Sequence, residues 1–156
     1  PPEMASVVAP RLAYIGDTLP AARLAQLYNP ADALVHPYHA ESFALPVLEA
    51  AACGTPVVVP SGGPTDEFTD PSFAVHVRAR AMTNADLSRV HGEGAQVLNV
   101  DGDHLVEQMS VLMNDPGIRL RAREHGPAWL RERFTWKHAA DKLLQLILPP
   151  VHPGWL

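Results

Sequence analysis

The residues best placed for chemistry are two glutamates eight positions apart, Glu41 and Glu49. They stand in His36-Pro37-Tyr38-His39-Ala40-Glu41-Ser42-Phe43-Ala44-Leu45-Pro46-Val47-Leu48-Glu49, which runs on into Ala-Ala-Ala-Cys-Gly-Thr-Pro-Val-Val-Val. The stretch reads as an apolar strand, a polar loop ending in Glu41, a helix carrying Glu49, then a second apolar strand. Carboxylates at the carboxyl end of a parallel sheet, beside a helix N-terminus, suit a ligand bearing both hydroxyls and phosphates. The backbone N–H groups of Ser42, Phe43, Ala44 and Leu45 fall where the helix begins. They lack intrahelical partners and carry the positive end of the helix dipole, so they suit a diphosphate. Pro46 costs nothing in that first turn, where its missing N–H has no helical acceptor to serve.

The positioning elements are punctuated by proline and glycine. Arg11 to Gly16 predicts a short strand. Thr18 is a candidate cap for a helix from Leu19 to about Tyr28, packed through Leu24, Leu27 and Tyr28 and ended by Asn29-Pro30. Ala33–His36 and Pro56–Val59 are continuous apolar runs, as expected in a parallel sheet covered on both faces. The helix between them spans about 45 to 53, and Phe73 to Arg78 reads as an edge strand. Alternating strands and helices predict an α/β fold, a Rossmann-like parallel sheet flanked by helices. The second half reads as helical. Asp101 or Asp103 caps a helix with the stripe Leu105, Met109, Leu112 and Met113. A helix over 118–134 is disturbed by Gly126-Pro127, and Thr135 caps a last one with Trp136, Ala139, Ala140, Leu143, Leu144 and Ile147 on one face. Periodicity is weak between Arg80 and Asn99, which predicts a loop or flexible insertion.

Over roughly residues 10–148 the sequence resembles the retaining glycosyltransferases of the GT-B fold, the large family that includes sucrose synthases and bacterial mannosyl- and glucosyltransferases. The resemblance rests on the Glu-x7-Glu signature of Glu41 and Glu49, the Ala-Cys-Gly-Thr-Pro turn, Gly62-Gly63-Pro64-Thr65-Asp66-Glu67, and Phe134-Thr135-Trp136-Lys137. It implies that residues 1–148 are part of a C-terminal, nucleotide-sugar-binding domain, with 149–156 as a tail. It further implies that Glu41 is the catalytic residue, binding sugar hydroxyls and supporting oxocarbenium character at C1. By the same resemblance Glu49 receives the ribose hydroxyls and the amides of Ser42, Phe43, Ala44 and Leu45 the diphosphate. Gly16, Gly62 and Gly63 are further donor-site candidates through close backbone approach. Asp66 or Glu67 is a candidate cap beside the donor. Retention in this family is pictured as front-face attack, which gives Glu41 no covalent intermediate, unlike a retaining glycosidase. No cofactor or metal is expected beyond the nucleotide-sugar substrate. Asp101-Gly102-Asp103 has the Asp-x-Asp form, but it precedes a helical stripe and reads as capping.

Composition narrows the alternatives. A formal charge of -5 argues against non-specific nucleic-acid binding. With 47% apolar and 19% charged residues, the chain is an ordinary globular sequence and not a disordered one. A single cysteine, Cys53, forms no internal disulfide and favours a reducing, cytoplasmic setting. No apolar run approaches a membrane span. The eight histidines show no His-x3-His pairing. His36 and His39 flank the motif loop, while the other six read as structural or solvent-facing. Arg119, Arg121, Arg123, Arg131 and Arg133 read as the wet side of the C-terminal helices. The family's earlier strand–helix units and its acceptor-binding N-terminal domain have no counterpart here, so a missing domain or subunit is an expected partner. Apolar surface left where such strands pack offers a route to a homodimer. The competing reading is a non-catalytic nucleotide- or partner-binding module, or one half of a split glycosyltransferase. A related GT-B epimerase fits the 43–46 loop and the C-terminal helices less well.

Overall fold

The computed structural model describes residues 5–9, 12–16, 18–83 and 96–148. In chain order the first elements are β1 (Ala5–Ala9), β2 (Leu12–Ile15), α1 (Ala21–Tyr28), β3 (Leu34–Val35), α2 (Leu45–Ala52) and β4 (Val57–Pro60). A 3-10 turn (Pro64–Glu67), β5 (Ala74–Val77), β6 (Ala79–Thr83) and β7 (Gln96–Val100) follow. Three helices close the described chain: α3 (Gly102–Asn114), α4 (Pro116–Arg133) and α5 (Trp136–Ile147).

The centre is a parallel sheet in the order β3–β4–β5, flanked by helices, as the alternating pattern predicts. β4 is the middle strand and is buried along its whole length, so Val57-Val58-Val59-Pro60 shows no polar alternation. Successive side chains of a strand point to opposite faces. Val57 and Val59 accordingly join a core with Val47, Ala50 and Ala51 of α2 and Ala122 and Leu130 of α4. Phe68 and Phe73, both fully buried, complete that layer. Burying each ring contributes roughly 2–3 kcal/mol. On the opposite face Val58 and Val77 pack against Leu112 of α3.

Two glycines set how closely the helices approach. At Gly126 of α4 an added Cβ would lie 2.7 Å from the carbonyl oxygen of Ala51, so only glycine admits this contact with α2. Gly54 ends α2 with φ of 79°, its N–H donating to Ala51 and that of Thr55 to Ala50. That pair of bonds is a Schellman motif, which requires a residue at ease in the left-handed region. The Ala-Cys-Gly-Thr-Pro turn is therefore a helix stop that hands the chain directly to β4.

Several sequence expectations are revised. β2 forms where the Arg11–Gly16 strand is expected, but it pairs antiparallel with β1 and not with the parallel sheet. α1 starts after Pro20, and Thr18 supplies no side-chain cap. α4 passes through Gly126-Pro127 as one helix, and Gly126 lets it lie directly on α2. The stretch 80–99, expected to be a loop, supplies β6 and β7, an antiparallel ribbon with Ala79 opposite Val100 and Thr83 opposite Gln96. Non-local pairing of this kind leaves little local periodicity to read. Residues 84–95 and the tail 149–156 lie outside the described residues. Asp101, not Asp103, caps α3 by accepting the His104 N–H at 3.0 Å, and it also pairs with Arg78 at 3.1 Å. Thr135 caps α5 as expected and forms a capping box with His138. The apolar face of α5, however, is uncovered among the described residues: Trp136 is 89% and Ile147 64% exposed.

Candidate functional site

β3, β4 and β5 run parallel, so the loops leaving their carboxyl ends share one edge of the sheet. The first loop, 36–44, carries Glu41 into the start of α2. The second, 61–63, carries the glycine pair into the 3-10 turn. A buried bond joins them: the Tyr38 hydroxyl meets the Thr65 hydroxyl at 2.8 Å. Gly63 lies directly beneath that phenol, where an added Cβ would come 2.2 Å from the Tyr38 oxygen. Gly63 is thus required by a tyrosine of this protein.

Glu41 is half-buried and drawn back onto the backbone that follows it. Its Oε1 accepts the N–H of Ser42 at 2.9 Å, and its Oε2 lies 3.4 Å from Nε2 of His36, the ring N–H donating. The Ser42 N–H is the chief cause that holds the Glu41 carboxyl below its ordinary value. The His36 side chain and the N–H groups of Ala44 and Phe43 add to this, against an opposing effect of partial desolvation. The Ser42 amide, one of those expected to face a phosphate, is therefore taken by a carboxylate here.

Local conformation explains why these amides point together. Ala44 is the N-cap of α2, with φ of 66° and ψ of 59°, and among the described residues it is the one non-glycine at positive φ. A left-handed alanine is strained by about 1–2 kcal/mol. The strain is held by packing on either side: Ala44 is buried, and the Phe43 ring stacks on Phe68 at 5.0 Å. Ala44 is thus buried and Phe43 half-buried, while Ser42 and Leu45 are exposed.

Glu49 is exposed on α2. It lies close enough to Tyr28 and Cys53 to raise both, adding in each case to the larger effect of burial. Asp66 is not a helix cap. Its Oδ2 accepts the N–H of Gly62 at 2.8 Å and its Oδ1 approaches Nε2 of His76 at 3.6 Å, so it braces the loop. Gly62 has φ of 84°, with open space where a Cβ would stand. Glu67 is exposed at the end of the turn. Gly16 follows β2, with the Tyr14 ring as its near neighbour, and is not brought to the Glu41 loop by any described contact. Among the described residues, no three His, Cys, Asp or Glu side chains group as metal ligands. A groove of about 290 Å³ lies at the other face of the sheet, lined by Asp32, Ala33, Val35, Val58, Met109, Leu112 and Met113. None of the candidate residues lines it, and its mostly apolar wall does not suit a sugar phosphate.

The site also holds Tyr38 and Thr65, which the sequence did not single out, and it fixes His39, which the sequence placed beside the motif loop. Tyr38 and Thr65 are 27 positions apart and their bond has no local signature. His39 is fixed by β7, its Nδ1–H donating to the Leu98 carbonyl at 2.8 Å while the Leu98 N–H donates to the His39 carbonyl at 2.7 Å. The β6–β7 ribbon is thereby the outer brace of the Glu41 loop. Arg119 and Arg133, expected on the wet side of α4, have structural partners: Arg119 pairs with Asp32, and Arg133 lies 3.9 Å over the Trp129 ring.

This architecture is part of the Rossmann-like α/β fold of a GT-B C-terminal domain, with the candidate loops at the carboxyl ends of the strands. The profile of a family described as "Glycosyl transferase-like" matches residues 6–145. The D-inositol 3-phosphate glycosyltransferase of Rhodococcus jostii is 32% identical over 142 residues, which is 88% of this chain and 26% of that protein. The protein of the same description in Segniliparus rotundus is 52% identical over 125 residues, 80% of this chain and 23% of that protein. The one in Thermobispora bispora is 33% identical over 128 residues, 81% of this chain and 25% of that protein. The chain belongs to this glycosyltransferase family. It spans about a quarter of the length of these relatives. Among the described residues, no helix is long and apolar enough to cross a membrane.

Proposed function

We propose that this chain is the donor-binding part of a retaining glycosyltransferase, which moves a sugar from a nucleotide diphosphate to an acceptor hydroxyl. The observation that carries the reading is the Glu41 carboxylate at the start of α2, accepting the Ser42 N–H and facing His36. A ligand whose diphosphate takes over the amides that open α2 frees Glu41 to turn to the hydroxyls of the sugar. A carboxylate accepting hydroxyl donors forms charge-assisted bonds, stronger than neutral ones, and its charge favours positive character at the anomeric carbon.

In this reading Glu49 takes the ribose hydroxyls from the exposed side of α2. Gly62, with open space above it, lets the second loop approach the donor, and Glu67 stands at the end of the adjoining turn. Gly63 and Asp66 act by holding that loop, and Gly16 is the outlying candidate. Residues 1–148 form the donor domain portion and a separate acceptor-binding domain or subunit supplies the opposite wall. The setting is cytoplasmic, in keeping with the single cysteine, and the diphosphate is bound without metal. The relatives are described as acting on D-inositol 3-phosphate, which makes a phosphorylated cyclitol the first acceptor to try.

Two variants test the assignment in the complete transferase. Glu41→Ala is expected to lower kcat about 100- to 1,000-fold, as for loss of one preorganised transition-state contact. Glu49→Ala is expected to weaken nucleotide binding by roughly tenfold or more, the loss of a hydrogen bond to a charged group. Near-normal kcat in the first variant would sink the role given to Glu41.

A further inference from the structure

We infer that His36 is a positioning residue for Glu41, held in place by a chain of contacts that begins in the second loop. The inference rests on the donor-site reading of Glu41 given above. His36 is the first residue after β3, and its own N–H is fixed by donating to the Val58 carbonyl of β4 at 2.9 Å. Its ring has two neighbours. On one side Nε2 reaches Oε2 of Glu41 at 3.4 Å, and both side chains are about one quarter exposed, 28% and 26%. On the other side the ring packs against Tyr38, centroids 5.6 Å apart and planes at 49°.

Tyr38 is itself immobilised. It is buried, its hydroxyl is bonded to Thr65, and Gly63 is the only residue type that leaves room for it. Thr65 in turn is fully buried, and its carbonyl accepts the Thr69 hydroxyl at 2.8 Å. The order of contacts is thus 3-10 turn, Thr65, Tyr38, His36, Glu41, and its first two side chains are buried. One oxygen of Glu41 belongs to Ser42 and the other to His36. When a diphosphate takes the amides, the bond to Ser42 is the one displaced, and the bond to His36 is the one that still orients the carboxylate.

A carboxylate tethered through one oxygen turns a defined free lone pair towards the sugar. An untethered one samples rotamers, and a misplacement of about 1 Å at a reacting centre costs on the order of 100-fold in rate. His36 does not itself touch the donor in this arrangement, so its loss affects turnover more than nucleotide affinity. The geometry also fixes the tautomer: the ring must carry a proton on Nε2 to donate to a carboxylate.

The test uses the complete transferase with three replacements at position 36. His36→Gln keeps an N–H donor at about the reach of Nε2, His36→Asn keeps polarity but stops short of Glu41, and His36→Phe keeps the packing on Tyr38 without any donor. Turnover is expected to fall about tenfold or more in the Asn and Phe variants and to remain within about threefold in the Gln variant. Affinity for the nucleoside diphosphate alone, measured by calorimetry, stays within about twofold in all three. Equal turnover in the Gln and Asn variants would overturn the inference, and so would a nitrogen-15 spectrum showing the His36 proton on Nδ1 only. Glu41→Gln is measured alongside. If it leaves turnover intact, the donor-site reading itself fails. If it abolishes turnover while His36→Asn and His36→Phe match the wild type, only the role of His36 is refuted.

Discussion

α2 and α5 both carry an apolar face and have a recognisable start, yet they meet opposite fates. In α2, Val47, Ala50 and Ala51 are completely buried against β4 and α4. In α5, which has the stronger cap, no residue is buried and Trp136, Leu143, Leu146 and Ile147 lie exposed. The difference lies in their partners. α2 is built from small residues and meets a helix with a glycine at the crossing, so two backbones come together over a buried strand. α5 carries large side chains and has no comparable surface to receive them among the described residues. An amphipathic pattern specifies a helix, and a core forms only where a second surface has the shape to accept it.

Stability measurements can break this contrast. Phe73→Ala, in the layer beneath α2 and α4, is expected to cost about 3–5 kcal/mol in urea unfolding. A cost under ~1 kcal/mol would mean that this layer is not the core. Gly126→Ala is expected to cost about 1–3 kcal/mol, because its methyl meets the Ala51 carbonyl and the helices must separate. A neutral result would show that α4 slides freely on α2. Thr135→Ala removes a capping hydroxyl and is expected to cost about 1 kcal/mol. Hydrogen exchange locates the change, with protection falling along α5 while α2 keeps its own.

Acid sharpens the contrast further. Glu41 has its folded value depressed, chiefly by the Ser42 N–H. A group of this sign adds stability that is present above its unfolded value, about 4.3, and is lost as pH falls through the folded value below it. The urea midpoint of the wild type should therefore decline on the acid side of about pH 4.5, and Glu41→Gln should flatten that decline. Asp101 contributes in the same direction, chiefly through the His104 N–H, and leaves part of the slope in the variant. Smallest of all, Ile147→Ala on the exposed apolar face of α5 should stay within about 0.5 kcal/mol. A larger cost would mean that this face is covered in solution.

The sequence was most informative where function and structure depend on neighbouring residues. Glu41, the amides of 42–44 and the α2 helix lie within one dozen positions, and the glycine stop after Cys53 reads directly from its motif. Asp101 and Thr135 were legible as caps because a cap and its target are three residues apart. What escaped was long-range. The bond of Tyr38 to Thr65 and the clasp of His39 by Leu98 join segments 27 and 59 positions apart, and no periodicity announces them. The ribbon β6–β7 was hidden for the same reason, its pairing being set by a partner strand and not by its own alternation. Gly63 was legible as a close approach, but the atom that approaches is a phenol of the protein.

The most direct test of the donor-site assignment is to follow the backbone amides by NMR while UDP, GDP and ADP are titrated in turn. One nucleotide is expected to shift Ser42, Phe43, Ala44 and Leu45 most strongly, together with Glu49, and Glu49→Ala is expected to need more of that nucleotide for the same shifts at residues 42–45. Shifts centred instead on Val35, Val58 and Leu112, at the groove on the other face of the sheet, would contradict it, as would the absence of any response to all three nucleotides.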